Sequence, residues 1–513
     1  MRRRRRCSTR VGYCPISNRC ARSARRTNMR SFIVAVAAAA LVVGTTASAK
    51  DVLTGPVKTH IGPVELQGGY PSAKSVGKLY DELDFQRATQ AYIWATPLVA
   101  MEALRSANTR EWGVDYNDVG LVDGYTTPVV SALTGNNTTI YAAVFTDLER
   151  DGPVVIDSPV GVYGVIDDFW QRPVVEVGPF GPDKGKGGKF LLLPPGYDGP
   201  VPDGYLAAKS KTNQTMFIGR AFVKDGDIKS AVDTLARIKV YPLSKAERPP
   251  ETRVVRAGDR PLNSIAPKGF GYWQLVADAL DKEPVEERDR FFHAMLKPLG
   301  IEKGKPFKPD DRQKKILSEA ADVGFLMAQT LSMAPRLENA SSYPGTHWEW
   351  VLTLDPSQEA PGYTQLDERT DYTFEAITIA EGMIKKIPGA GSQYMSAAKD
   401  KSGAWLNGGR TYTLHVPADV PAKEFWAVTV YDVLTRSMIK AETMKAGVSS
   451  LDKLKTNADG SVDVHFGPEP PKDDVNWVKT VPGRGWFAYF RWYGPTDRFF
   501  DKSWSLPDIE RKR

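Results

Sequence analysis

Hydrophobic residues recur every three or four positions between residues 72 and 107, for example at Val76, Leu79, Tyr92 and Met101. This period is typical of a helix, and Pro97 is expected to kink or divide it. From about residue 120 the pattern changes to short β-branched or aromatic runs separated by Gly, Pro and Asp, which predicts an antiparallel sandwich. The clearest runs are YAAVFTDL, GPVVIDSP, GVYGVIDDF, RPVVEVG, GKFLLLPPGY and MFIGRAFV.

The helical period returns at Gly271 and predicts two short helices, followed by a third from the N-cap Asp310 to Leu331. Strand-like runs then resume, interrupted by a short helix predicted over residues 372–385. These later runs are HWEWVLTL, RTYTLHV, EFWAVTVYD, SVDVHFG and GWFAYFRWYG.

The order of these patterns predicts an α+β fold that is mostly β. We expect an N-terminal helix plus antiparallel β-sandwich over residues 72–240 and a helical middle segment over 265–335. A C-terminal jelly-roll-like β-sandwich is expected over residues 340–510.

The first 49 residues differ in composition from the rest of the chain. They hold eleven arginines and no lysine, aspartate or glutamate, and removing those charges from the net +7 leaves −4 for the remainder. The apolar run over residues 32–44 is too short to span a bilayer and has the length of a signal h-region. We predict a leader over residues 1–49, cleavage after Ala49 and a periplasmic or secreted protein. Met29 is an alternative start.

The predicted mature chain excludes several classes of function. Cys7, Cys14 and Cys20 all precede the cleavage site, so no disulfide, thiol nucleophile or Cys-ligated metal is expected. The mildly acidic body has no basic stripe for nucleic acid, and no later stretch has the length of a transmembrane helix. Because P-loop, G-x-S-x-G and H-E-x-x-H motifs are also missing, no cofactor is predicted.

The order of motifs resembles exported bacterial proteins that pair two domain-of-unknown-function families, numbered 1254 (N-terminal) and 1214 (C-terminal). The resemblance rests on ATQAYIWATPLVAMEALR, NNTTIYAAVFTDLERDGPVVIDSP and YWQLVADALDKEP, then on NGGRTYTLHVPADVPAKEFWAVTVYD and GRGWFAYFRWYGP. It implies two β-sandwiches around a helical middle and no established activity. The family often has Asp at the position of Thr138, so any role of that Asp is unavailable here.

The last strand-like run holds the first candidate site. Alternation along a strand places Tyr489, Arg491 and Tyr493 on one face, where they are candidates for a ligand platform. The alternative is a strand buried on both sides whose arginine pairs with an internal Asp or Glu.

Two further groups of candidates lie outside this strand. Asn136, Asn137 and Tyr141, in the NNTTIY turn, are candidates for a polar cluster with Asp167 or Asp168, or else serve as turn residues. The remaining candidates would line a site between the two sandwiches, or else pack between domains: Arg369, Tyr372, Trp426 and Tyr431.

A metal site is not predicted. His347 and Glu349 alternate with tryptophans in THWEWVL and would share one face of a strand, but a structural site needs three or four ligands.

Three functions stay open from the sequence, so whether the protein is an enzyme is also open. The first is an exported protein that binds a small molecule or envelope component in a cleft between two β-sandwiches. The second is a cysteine-independent hydrolase or lyase that acts on a glycan or ester through carboxylate, Tyr and Arg groups. The third is a structural envelope protein. A homo-oligomer is compatible with all three.

Overall fold

The structure is a computed structural model that describes residues 54–472 and 476–512. The predicted leader and its cleavage site at Ala49 lie outside the described residues. Residues 54–72 belong to one unit and the chain from Ala73 onward belongs to another, so the two are described separately.

The first unit is an antiparallel meander of three strands, β1 (Gly55–Thr59), β2 (Gly62–Gln67) and β3 (Tyr70–Pro71). Gly68 and Gly69 connect β2 to β3 with φ angles of 58° and 87°. Positive φ at both positions of a two-residue turn favours glycine.

The second unit begins with the long helix α1 (Ala73–Ala107), which confirms the predicted helix. From Ala88 onward nearly every residue is buried, so the helix is central rather than amphipathic. Pro97 does not divide it. Proline has no N–H to offer the carbonyl of Ile93, and that carbonyl instead accepts a hydrogen bond from Thr370 Oγ1 at 3.2 Å.

Two sheets form the N-terminal sandwich, as predicted. The six-stranded sheet has the order β14-β4-β6-β12-β8-β9 and the four-stranded sheet has the order β11-β10-β7-β13, with parallel pairs only at β14–β4 and β10–β11. Val144, Ile156 and Phe217 belong to the core that the two sheets share. The elements are β4 (Val119–Leu121), β5 (Val130–Ser131), β6 (Ile140–Asp147), α2 (Leu148–Asp151), β7 (Val154–Ser158), β8 (Tyr163–Asp168), β9 (Pro173–Val177), β10 (Gly188–Leu193), β11 (Leu206–Lys209), β12 (Gln214–Ala221), α3 (Ile228–Leu235), β13 (Lys239–Pro242), β14 (Val254–Arg256) and β15 (Leu262–Asn263).

The predicted middle helices are α4 (Phe270–Lys282), α5 (Arg290–Leu296) and α6 (Asp311–Met333). Asp310 is the N-cap of α6, as expected, and forms a capping box with Gln313. These helices share a core with α1 and with the outer face of the six-stranded sheet, because Trp94, Met216 and Trp273 lie in one cluster. The predicted domain boundaries therefore stay predictions.

The C-terminal half is a second sandwich. Its five-stranded sheet has the order β16-β19-β25-β21-β22, and its four-stranded sheet has the order β24-β23-β20-β26. Together with the first sandwich and the helices, it confirms the predicted α+β class with sandwich-like sheets. The elements are β16 (Glu349–Trp350), β17 (Glu359–Ala360), β18 (Tyr363–Thr364), α7 (Leu366–Glu375), α8 (Glu381–Ile384), β19 (Ser392–Ala397), β20 (Tyr412–Val416), β21 (Ala422–Asp432), β22 (Gly447–Ser449), β23 (Val462–Gly467), β24 (Trp477–Lys479), β25 (Trp486–Pro495), α9 (Asp497–Phe500) and β26 (Glu510–Arg511).

The single helix predicted over residues 372–385 is wrong, since α7 ends at Glu375 and α8 begins at Glu381. The backbone between them is bound by the N-terminal half. Thr378 N donates to Gln171 Oε1 at 2.9 Å and Ile379 N donates to Asp167 Oδ2 at 3.2 Å. These tertiary acceptors replace the helical ones. Across the described ranges, no helix combines the length and the apolar character needed to cross a membrane.

Candidate functional site

The two faces of β25 have different partners. Phe490 stacks on Trp426 with ring centroids 5.3 Å apart, inside the C-terminal sandwich. Arg491 lies on the other face, in register with Tyr394 of β19 and Ala427 of β21. The alternation expected along the strand is therefore present. The candidate Trp426 belongs to the core face and not to the face that carries Arg491.

The N-terminal half contacts the Arg491 face through the loop of residues 134–138. The carbonyl of Thr134 accepts from Arg491 Nη2 at 3.1 Å, and the carbonyl of Gly135 accepts from Tyr431 Oη at 2.8 Å. Thr134 has a φ of 35°, which is strained for a β-branched residue and is found where the surroundings impose it. The loop is thus held in an unfavourable conformation against the second sandwich.

A hydrogen-bond network continues from this loop. Asn136 Nδ2 donates to Tyr493 Oη at 2.6 Å and to Tyr141 Oη at 3.0 Å. Asn136 Oδ1 accepts from the Thr138 backbone N at 3.0 Å and from Thr138 Oγ1 at 2.7 Å. Because the Thr138 hydroxyl hydrogen is used there, Tyr493 Oη, 3.0 Å from Thr138 Oγ1, is the donor in that contact.

Two arginines flank these tyrosines. Arg220 stands opposite Tyr141 in the β12–β6 register, and its guanidinium carbon is 5.8 Å from the ring centroid of Tyr493. The guanidinium of Arg491 lies 5.7 Å from the ring of Tyr394. We call these residues, with the network above, the tyrosine–arginine cluster: Asn136, Thr138, Tyr141, Arg220, Tyr394, Arg491 and Tyr493.

Neither arginine of the cluster forms an ion pair with a described residue. Arg491 Nη1 donates to Thr429 Oγ1 at 3.2 Å, and Arg220 Nη2 donates to Ser392 Oγ at 3.3 Å. The alternative interpretation is half right: β25 is buried along its whole length, as it expected, but the carboxylate partner that it gave to Arg491 is wrong. By contrast, the buried Arg172 pairs with both Asp168 and Glu286 at 2.6 Å.

The two cations affect the tyrosines. Burial acts to raise the pKa of Tyr141, but Arg220, the Asn136 amide and Arg491 favour the phenolate, and the pKa is lowered overall. Burial raises the pKa of Tyr493 instead. The two phenols of the network thus differ in the ease with which they lose a proton.

The cluster is only partly buried. Tyr141, Arg220 and Tyr394 are half-buried, whereas Arg491 and Tyr493 are buried. Two clefts lie elsewhere: one of about 530 Å³ lined in part by Asp168, Lys211 and Lys385, and one of about 220 Å³ lined in part by Phe325 and Leu326. The cluster is therefore a partly exposed junction between sheets and belongs to neither cleft.

Glu375, the hydrogen-bond partner of the candidate Tyr489, is not predicted from the sequence. Tyr489 Oη donates to one carboxyl oxygen of Glu375, and Ser332 Oγ donates to the other at 3.0 Å. Burial raises the pKa of Glu375 to about 8. Arg220 is not predicted either, although a lone cation inside the apolar run MFIGRAFV is a signal that points to it.

Other candidates have structural contacts. Tyr372 Oη donates to the Thr378 carbonyl at 2.5 Å and Asp167 accepts from Ile379 N, so both hold the segment between α7 and α8. Burial raises the pKa of Asp167 well above its usual range. Asn137 is half-buried in the loop beside Asn136.

Arg369 is not part of the cluster. Its Nη2 donates to the Trp94 carbonyl of α1 at 2.7 Å, its Nη1 donates to Gln358 Oε1 at 3.3 Å, and its guanidinium lies 5.4 Å from the ring of Trp170. Burial lowers its pKa to about 9.

The weak metal candidates are not brought into a ligand set. His347 Nδ1 lies 3.0 Å from Asp508 Oδ2, while Glu349 is half-buried with a pKa raised by burial to about 7. Over residues 54–472 and 476–512, no three His, Cys, Asp or Glu side chains are grouped so that they would hold a metal ion.

The fold and the site define an α+β protein in which two β-sandwiches meet at a polar junction. A family model described as a protein of unknown function, DUF1254, matches residues 116–242, and a second, DUF1214, matches residues 391–497. The chain therefore pairs a DUF1254 region with a DUF1214 region, in the order that its motifs predict. The tyrosine–arginine cluster draws residues from both matched regions.

The chain is also similar to solved structures. The VPA0106 protein from Vibrio parahaemolyticus is 19% identical, with 84% of this chain and 100% of that chain covered and a TM-score of 0.50, which shows a shared fold. A putative uncharacterized protein from Burkholderia cenocepacia is 13% identical, with 85% and 96% covered and a TM-score of 0.38. No curated protein matches the chain.

Proposed function

We propose that the protein is an exported, periplasmic or secreted binding protein that holds an organic molecule by its carboxylate at the tyrosine–arginine cluster. The observation that carries this proposal is the pair Arg220 and Arg491, which flank the same tyrosines and form no ion pair with a described residue. A charge removed from water without a partner costs several kcal/mol, and an anionic ligand would supply the missing partner.

The donors present suit a carboxylate. The guanidinium group is a planar fork of N–H donors that matches the two oxygens of a carboxylate, and it also stacks on aromatic rings. Tyr141 and Tyr394 are half-buried and add ring surface and hydroxyls. The ligand therefore combines a carboxylate with an apolar or aromatic body.

Position 138 supports an external anion. The family resemblance implies that Asp often stands there, whereas Thr138 in this chain brings no charge to the network it shares with Asn136 and Tyr493. The positive charge of Arg220 and Arg491 is therefore left for a ligand.

The hydrolase or lyase alternative gains less support. The carboxyl groups of Glu375 and Asp167 are buried and line neither cleft. The carboxylates Asp168 and Glu381 do line the larger cleft, but they are ion-paired with Arg172 and Lys385. A structural envelope protein without a ligand is the outcome that the binding experiment would show if the proposal fails.

The test is calorimetric titration of the protein with formate, acetate and benzoate, with benzamide as the neutral analogue of benzoate. We expect binding of at least one carboxylate and weaker or no binding of benzamide. Arg220→Met and Arg491→Met should each weaken carboxylate binding about ten- to a hundredfold, since a charge-assisted hydrogen bond contributes about 1.5–3 kcal/mol.

The matched control is Arg290→Met, because Arg290 is an exposed arginine on α5. Its carboxylate affinity should equal that of the unmodified protein. The proposal is wrong if no carboxylate binds, if benzamide binds as well as benzoate, or if Arg491→Met keeps full affinity while its melting temperature is unchanged.

Export is proposed from the leader alone. Expression in a bacterial host with two membranes, followed by mass spectrometry of the periplasmic fraction, should find a chain that begins at Lys50. An intact leader on the mature, folded protein would contradict it.

A further inference from the structure

The directions of the hydrogen bonds make the two phenols of the network unequal. Tyr493 Oη accepts from Asn136 Nδ2 and donates to Thr138 Oγ1, so its hydrogen has a place. Tyr141 Oη accepts from Asn136 Nδ2 but is the donor in no hydrogen bond with a described residue. The Thr139 hydroxyl is buried without a hydrogen-bond partner among the described residues and favours the phenolate of Tyr141. An oxygen that only accepts is suited to being a phenolate.

The charges around Tyr141 act in the same direction. Arg220 faces it from β12 and Arg491 acts on it from β25, so two cations stabilise a negative oxygen at this position. The other titratable groups around the cluster are phenols: Tyr394 on β19, Tyr431 on β21 and Tyr493 on β25.

We propose that Tyr141 is the proton acceptor of this site, so that its phenolate takes the acidic proton of an organic acid bound between Arg220 and Arg491. This inference rests on the binding function proposed above. The O–H bond of the acid breaks, the O–H bond of Tyr141 forms, and the resulting carboxylate stays with the two guanidinium groups. When the ligand arrives as its anion, one proton is taken from solvent instead.

Because ligand binding is coupled to proton uptake by Tyr141, ligand affinity should fall as the pH rises. Below the pKa of Tyr141 the phenol is neutral, both guanidinium groups are free for the ligand, and affinity is highest. Above that pKa the phenolate competes with the ligand for the same two cations. Benzoate affinity should then fall about tenfold per pH unit, which is the slope for uptake of one proton.

The first experiment uses the protein without ligand. Ultraviolet difference spectra recorded from about pH 7 to pH 11 should show one tyrosine that ionises below the usual value near 10. Tyr141→Phe should remove this early step, whereas the control Tyr80→Phe, which changes an exposed tyrosine outside the cluster, should keep it. The proposal is overturned if the unmodified protein shows no early step, or if Tyr141→Phe retains it.

The second experiment measures benzoate affinity over the same pH range. Tyr141→Phe should bind benzoate without the tenfold loss per pH unit, and it should bind more tightly than the unmodified protein at the alkaline end. An affinity of the unmodified protein that is independent of pH overturns proton transfer to Tyr141. If benzoate binds at no pH, the binding function itself has failed, while the ligand-free spectra still decide which tyrosine ionises first.

Discussion

Two pairs of arginines form no ion pair with a described residue, yet their surroundings differ. Arg369 and Arg436 lie among backbone carbonyls next to α1 and α7, whereas Arg220 and Arg491 lie among tyrosines where the two sandwiches meet. The first pair satisfies backbone carbonyls inside the fold. We infer that the second pair binds an anionic ligand.

The carbonyl-bound pair is held by dipoles with no charge of their own. Arg436 Nε donates to the Phe374 carbonyl at 3.1 Å, and its guanidinium lies 4.4 Å from the Phe374 ring. Burial lowers the pKa of Arg369 to about 9 and that of Arg436 to about 10. These buried charges are tolerated because their N–H groups donate to backbone carbonyls. Arg369, for example, donates to the Trp94 carbonyl, which follows the Ile93 carbonyl that Pro97 leaves without a helical donor.

The tyrosine-bound pair lies beside groups that can themselves become anions. Burial acts to lower the pKa values of Arg220 and Arg491, yet both are raised because phenol oxygens surround them. The direction in which the pKa of an arginine shifts therefore depends on whether its neighbours can ionise, and not on burial alone.

The largest expected effect separates the two pairs by stability. Arg369→Met leaves the buried Trp94 carbonyl and Gln358 without their donor, so the free energy of unfolding should fall by about 2–4 kcal/mol in chemical denaturation. Arg491→Met removes a buried charge, and the Thr134 carbonyl keeps the Tyr431 hydroxyl as a donor at 3.4 Å. It should therefore change stability by about 1 kcal/mol or less while weakening carboxylate binding about ten- to a hundredfold. Equal destabilisation by both substitutions would remove the distinction.

Glu375 is hydrogen-bonded to Tyr489 and lies close enough to Arg436 to be affected by its charge. Its ionisation should make the stability of the protein depend on pH. Its folded pKa of about 8 exceeds the usual 4.5, so the native state keeps a proton that the unfolded chain has lost. Its contribution to stability is therefore present below about pH 4.5 and is lost as the pH rises toward 8, at up to about 1.4 kcal/mol per pH unit.

Glu375→Gln should remove this slope, so its stability relative to the unmodified protein should rise from pH 5 to pH 8, as denaturant titrations at several pH values would show. Glu338→Gln, at an exposed position, is the control and should leave the slope as it is. A parallel pH profile for Glu375→Gln and the unmodified protein would show that Glu375 is ionised in the fold.

The smallest expected effect concerns the missing charge at position 138. Thr138→Asp places a carboxylate beside Asn136 and Tyr493, where it should compete with a ligand for Arg220 and Arg491 and weaken benzoate binding about tenfold in calorimetry. Thr138→Ser keeps the hydroxyl and should bind normally. Unchanged affinity in Thr138→Asp would mean that the anion binds elsewhere.

The sequence predicts the helices and strands better than the tertiary contacts between them. Periodicity gives α1, the strands of both sandwiches and the cap at Asp310, because each depends on residues close together along the chain. It does not reveal that the Ile93 carbonyl accepts from Thr370, or that Gln171 and Asp167 accept from the backbone of Thr378 and Ile379 beyond the end of α7. Those partners come from distant segments.

The candidate site divides in the same way. Alternation correctly groups Tyr489, Arg491 and Tyr493 on one face of β25, but it cannot show that the loop at Asn136 contacts that face across more than 350 positions. Arg220 escaped because an apolar strand pattern hides a single cation whose importance comes only from its neighbours.

Since Arg220 belongs to the first sandwich and Arg491 to the second, an anion bound by both would be a reversible cross-link between the two sandwiches. The two halves could then separate only after the ligand dissociates. The ligand-bound protein should therefore unfold in a single thermal transition, at a melting temperature that rises with ligand concentration.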